Sequence, residues 1–145
     1  MYKRILLAYD GSEAGQQALL DCNELAQWSG ADLRLIAVMP LHMGSIGLEV
    51  GVYDQAVEER ERAKYQEILD SGIARLRASG RAAQGQVVTG DSVTEITRHA
   101  RELDADLIIV GHKHLESWAA RWWQGAISGA LIEHAPCSVL VVIIR

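Results

Sequence analysis

Cysteine is scarce in this chain, with two in 145 residues. Cys22 and Cys137 lie far apart with no CxxC or His/Cys ligand spacing around them, which argues against a disulfide framework and a structural zinc site. Both are expected to be free, buried thiols in a reducing cytoplasm. Long apolar runs are missing as well: none approaches the ~20 residues that a membrane-spanning helix needs. The N-terminal Met1-Tyr-Lys-Arg-Ile-Leu-Leu is basic, but its apolar run breaks at Asp10-Gly11 before it forms a secretory core. No membrane span and a cytoplasmic location are therefore expected. An excess of positive charge is absent too. With a formal net charge of −5 and no basic run, the chain lacks the clustered Lys/Arg surface that phosphate neutralisation requires, and no nucleic-acid partner is expected. Internal repeats and low-complexity tracts are missing. So are the GxSxG nucleophile elbow, the Walker lysine loop, the GxGxxG fingerprint and the HExxH helix, which leaves a dedicated enzyme as the weakest functional class.

What is present is enough apolar material for one domain over residues 1–145, at 49% hydrophobic and 23% charged residues. Five short runs read as strands: Ile5–Tyr9, Leu33–Met39, Gln86–Thr89, Leu107–Val110 and Val139–Ile144. Most lack polar alternation, as strands covered on both faces do. Between them lie helical spacings. A first helix begins at Ser12-Glu13-Ala14-Gly15, carries Ala18, Leu19, Cys22, Leu25 and Ala26, and stops at Ser29-Gly30. A second, Gln55–Ser79, shows a solvated face with Glu58 and Arg62 at i, i+4. A third follows Asp91 or Ser92, either of which is a capping residue; the Ser92 choice puts Glu95 at the capping-box position. A fourth spans Gly125–Ala135 and is stopped by Pro136. The order β-α-β-α-β-α-β-α-β with right-handed crossovers predicts a single doubly wound parallel sheet of the Rossmann-like type. The Pro40–Asp54 segment has no period and is expected to be a surface loop over the C-terminal edge of that sheet.

Chemistry concentrates at two strand ends. Tyr9-Asp10-Gly11-Ser12 follows the first strand, which places the Asp10 carboxylate at the sheet edge where ligands bind in such folds. There it either accepts hydrogen bonds from a ligand or caps the next helix. The second stretch runs from Asp106-Leu-Ile-Ile-Val110 to Gly111, where the strand is expected to end in a His/Lys/Trp-rich loop closed by Gly125. Gly111 lets the backbone turn and bring N–H groups near an anion. His112, Lys113, His114 and Arg121 offer cationic or proton-donating groups for phosphate. The HxH pair His112/His114 is a weak metal signal without a third ligand, and no metal site is expected. Trp118, Trp122 and Trp123 stand at i, i+4, i+5; if exposed, Trp118 and Trp122 are the candidate contacts for a protein partner.

The loop from Gly111 to Ser128 resembles the nucleotide loop of the universal stress protein family, whose usual pattern is Gly, two residues, Gly, nine residues, then Gly followed by Ser or Thr. Gly111 matches the first glycine, and His114 stands at the second. Ten residues separate His114 from Gly125, and Ala126 replaces the hydroxyl residue. The resemblance extends from Lys3 to Ile144. It implies strand order 3-2-1-4-5, the adenine nucleotide alpha hydrolase-like arrangement, and tips Asp10 towards a ligand-facing role. It also implies adenine recognition by backbone groups at Val38, a ligand set of Asp10, Val38, Gly111, Lys113, Gly125 and Ser128, and ATP or AMP with Mg²⁺ as the ligand. Family members pair the last strand across a two-fold axis, so a homodimer through Val139–Ile144 is expected. Because His114 and Ala126 damage the loop, the sequence leans to a cytoplasmic, dimeric stress-response regulatory or protective module that has lost its nucleotide. The alternative is an ATP/AMP sensor with a switch-like or slowly hydrolytic output, at most a weak ATPase. A flavin module has only fold-level analogy behind it.

Overall fold

Apolar runs and capping residues place the elements in the computed structural model, which describes residues 1–40, 55–113 and 128–144. In chain order these are β1 (Arg4–Ala8), α1 (Glu13–Ser29), β2 (Asp32–Met39), α2 (Gln55–Ala78), β3 (Ala83–Thr89), α3 (Ser92–Glu102), β4 (Leu107–Lys113), a helical stretch over residues 128–134, and β5 (Ser138–Ile144). All neighbouring strands run parallel, in the order β3-β2-β1-β4-β5 that the family resemblance implies.

Two apolar layers cover the sheet. On one face Ile5, Leu7, Leu33, Leu35 and Ile109 meet Leu19 and Cys22 of α1 and Leu69 and Leu76 of α2. On the other, Leu6, Ile36 and Ile108 meet Ile96 and Ala100 of α3 and Leu131 of the 128–134 helix. Successive residues of each central strand alternate between the layers, so an uninterrupted apolar run is what such a strand requires. Two strands are longer than expected. β3 begins at Ala83, because Ala83, Gln84 and Gly85 pair through backbone with Leu33, Arg34 and Leu35 at an edge where polar side chains remain in water. β4 continues past Val110 to Lys113, because Gly111, His112 and Lys113 pair with Val142, Ile143 and Ile144 of β5.

Local signals fix the helix ends. Ser12 is the N-cap of α1, its Oγ accepting from Gly15 N at 3.0 Å, and Gly30 closes the helix in the left-handed region at φ 67°. Of the two caps open for α3, the structure uses Asp91, which accepts from Thr94 N at 3.0 Å and Thr94 Oγ1 at 2.8 Å. Glu95 is then free of capping duty and pairs with Arg98. Both thiols are free, but only Cys22 is buried, and burial pushes it up to about 12. Cys137 is half-buried, short of the enclosure expected.

Asp106 ties the starts of β1 and β4 together by accepting from Lys3 N at 2.7 Å and Arg4 N at 3.0 Å. Burial works against its charged form, but these N–H groups outweigh it and hold the carboxyl below the usual range. Asp91 is held low by its bonds to Thr94. A depressed carboxyl stabilises the fold above its unfolded-chain value and loses that contribution as pH falls through the folded value. Stability is therefore expected to decline as pH drops below about 4. Urea melts of Asp106→Asn and Asp91→Asn across pH 2.5–6 check this: each variant should show a flatter acid limb than the parent, and an unchanged limb in both would refute the assignment.

Candidate functional site

β1 leads to α1 on one face of the sheet and β4 leads to the 128–134 helix on the other, so the chain diverges between these two neighbouring strands. At such a switch point the carboxyl ends of a parallel sheet leave a crevice. Here it is a cleft of about 310 Å³ whose walls include Asp10, Glu13, Val38, Gly111, Lys113 and Ser128. That volume lies at the small end of the ~300–1,000 Å³ range of ligand pockets.

Asp10 is set by the residues on either side of it. Tyr9 N donates to Ile36 O at 2.9 Å, and the Tyr9 ring is buried, where burial raises its phenol and Arg75 acts the other way. Asp10 itself is exposed. Its Oδ1 accepts from Ser12 N at 3.0 Å and Ser12 Oγ at 2.6 Å. Ser12, not Asp10, is thus the helix cap, and Asp10 braces it while Oδ2 has no hydrogen bond among the described residues. A Cβ on Gly15 would lie 2.6 Å from Oδ1, so this glycine, costly within a helix, is what leaves room for the carboxylate.

Val38 contributes backbone. Along β2 the even-numbered residues face β1, as the bonds Asp32 N to Lys3 O and Tyr9 N to Ile36 O show, whereas Met39 O faces the β3 side and accepts from Gly90 N. The β1–β2 ladder ends at Ala8 and Ile36. In a parallel ladder both backbone groups of a residue point the same way, so the N–H and C=O of Val38 point past the end of β1 into the cleft.

Gly111 has a different physical reason from the one the sequence suggests. It lies inside β4 rather than at a turn, and a Cβ there would sit 2.3 Å from Ala14 O and 2.7 Å from Gly15 N. The missing side chain admits the first turn of α1 against β4. That close approach brings Glu13 to Lys113, whose Nζ lies 3.2 Å from Glu13 Oε2. Glu13 is a cleft residue that sequence reasoning treated only as part of a helix start, and Ser92 and Ile96 of α3 were not foreseen on its wall. The one available signal for Glu13 was its place three residues after Asp10.

Gly125, Trp118, Trp122, His114, Arg121 and Ala126 lie outside the described residues, as does the Pro40–Asp54 loop beyond Pro40. His112 lines the cleft. Among the described residues no cluster of three or more His, Cys, Asp or Glu is placed to hold a metal, and no helix is long and apolar enough to cross a membrane.

A five-stranded parallel sheet in this order, with a cleft at its β1–β4 switch point, defines the Rossmann-like class of doubly wound α/β folds. Residues 1–142 match the sequence profile of the Universal stress protein family, and the chain belongs to that family. A putative universal stress protein of Staphylococcus haemolyticus is 31% identical over 97% of this chain and 84% of its own length. Among solved structures, a universal stress protein family member from Burkholderia pseudomallei is 28% identical, with a TM-score of 0.76 over 97% of this chain and 96% of its own. The universal stress protein from Archaeoglobus fulgidus in complex with dAMP shares the fold at 20% identity, with a TM-score of 0.66 over 97% and 98%.

The contact at Gly111 sets a prediction. Gly111→Ala pushes a methyl into the Ala14 carbonyl and is expected to cost about 2 kcal/mol, within the range for overpacked sites. Denaturant unfolding measures it. A loss under 0.5 kcal/mol, about the scatter of surface substitutions, would mean that α1 does not depend on this approach.

Proposed function

We propose that this chain is a stress-response module that binds an adenine nucleotide, with AMP the simplest occupant, in the cleft between β1 and β4. The observation that carries the proposal is the pair of Val38 backbone groups pointing past the end of β1, beside Asp10, whose Oδ2 has no hydrogen bond among the described residues. An N–H and a C=O presented side by side match the acceptor and donor on the adenine edge, and the Asp10 carboxylate accepts from ribose hydroxyls. Lys113 and Ser128, with Gly125 from the adjoining loop, are assigned to the phosphate. Mg²⁺ would enter with a polyphosphate, held mainly by phosphate oxygens. Sequence alone leaned towards a member without nucleotide; the cleft favours the alternative, because its adenosine-facing groups are intact whatever His114 and Ala126 do to the phosphate end. Similar folds solved with dAMP, cAMP and AMP support the same class of ligand.

Calorimetric titration of nucleotide-stripped protein with AMP, ADP and ATP tests this. Micromolar binding, ~8 kcal/mol, is expected for AMP, and Asp10→Ala should weaken it about tenfold, the loss of one charge-assisted hydrogen bond. No heat with any of them at millimolar concentration would refute the nucleotide proposal.

A second element concerns assembly. β5 closes one edge of the sheet, and Leu140 and Ile143 remain 39% and 52% exposed on it. An apolar strand edge of this kind invites pairing, and a homodimer through Val139–Ile144 would cover it. Sedimentation should show a dimer that Ile143→Lys converts to monomer; a monomeric parent protein rules the pairing out. A protein partner at Trp118 and Trp122 and a cytoplasmic location rest on sequence alone.

A further inference from the structure

The cleft contains an ion pair that nucleotide recognition does not require. Glu13 begins α1 and Lys113 ends β4; both line the cleft, and their charged atoms are 3.2 Å apart. The pair is not needed to start the helix, because the cap is Ser12. Nor is it enclosed: the two side chains are 75% and 46% exposed, so either can rearrange without opening the core. Lys113 is a cation that an anionic ligand in this cleft would meet, and it already holds a carboxylate.

We infer that Glu13 is an internal competitor for Lys113, a specificity-determining residue that biases the cleft against ligands of high negative charge. The inference rests on the nucleotide reading above and adds to it a rule for which nucleotides are taken. A ligand phosphate reaches Lys113 only by displacing or sharing the Glu13 carboxylate. Glu13 also repels the phosphate directly, and the repulsion grows with each charge the ligand brings. A neutral nucleoside, recognised at Val38 and Asp10, does not involve the pair at all. Exposed ion pairs exchange at small cost, so the bias is a graded preference rather than a closed gate.

The experiment is calorimetry with adenosine, AMP and ATP on the parent protein, Glu13→Gln, Lys113→Gln and the double variant, at low salt. Glu13→Gln keeps the side chain's length and leaves Ser12 in place; thermal melting verifies that it folds. Its ATP affinity is expected to rise about fivefold and its AMP affinity about twofold, the scale of one exposed charge pair, with adenosine unchanged. In the Lys113→Gln background the Glu13→Gln gain should shrink to the part due to direct repulsion between Glu13 and the phosphate. At 1 M salt it should vanish. An unchanged ATP-to-AMP ratio in Glu13→Gln, an equal gain for adenosine, or a gain of the same size without Lys113 would each overturn the inference while leaving the nucleotide site standing. Failure of all three ligands to bind any of the four proteins would overturn the nucleotide site, and the inference with it.

Discussion

The approach of the first turn of α1 to the middle of β4 is the contact on which the site depends. At Gly111 there is no side chain, and the space that a methyl would need is taken by the Ala14 carbonyl and the Gly15 amide. A second constraint adjoins that contact, and one further consequence follows from it. Gly15, the next position on the helix, must also be bare, because the Asp10 carboxylate occupies the volume its Cβ would fill. The start of α1 then lies beside the end of β4, which brings a carboxylate on one and an ammonium on the other within hydrogen-bond reach. Gly111, Glu13 and Lys113 are thus aspects of a single packing requirement, and Gly15 answers the neighbouring one set by Asp10.

The polar groups of the cleft are organised by backbone more than by one another. Asp10 is oriented by the Ser12 amide and hydroxyl, and Val38 presents main-chain groups because β1 is shorter than β2 at that end. The rigidity of the cleft comes from the two apolar layers, most of whose largest buried side chains belong to β1, β2 and β4, with Leu19, Leu69 and Leu76 from the helices. Those three strands also carry Gly111 inside the C-terminal half of β4, Val38 next to the end of β2 and Asp10 just past the end of β1.

Much of the fold was legible because burial on both faces demands apolar runs, and because caps and stops are local. Ser12 and Gly30 were marked as the ends of α1, right-handed crossovers gave a doubly wound sheet, and the strand order followed from the family resemblance. What was not legible came from pairing across the sheet. His112 and Lys113 look like loop residues, yet the backbone of β5 holds them as strand. Ala83 to Gly85 carry almost no apolar signal and are strand through β2. The choice of Asp91 over Ser92 as cap could not be made from residue types that serve equally well.

Within the site, the sequence by itself determined which chemical groups exist near the strand ends: the Asp10 carboxylate, the Lys113 ammonium, the Ser128 hydroxyl and a glycine at 111. Asp10, Gly111 and Lys113 lie close to strand signals, so their placement towards one edge of the sheet is a consequence of chain order, whereas Ser128 reaches the cleft from the start of the 128–134 helix. Only the tertiary structure decided what each group is available to do. That Gly111 serves helix packing rather than a turn and that Lys113 already has an anionic partner in Glu13 depend on contacts between residues up to 100 positions apart, whereas the brace of Asp10 on Ser12 is local and the residue types left it open. Such distances along the chain close only when the sheet does, and no local pattern records them.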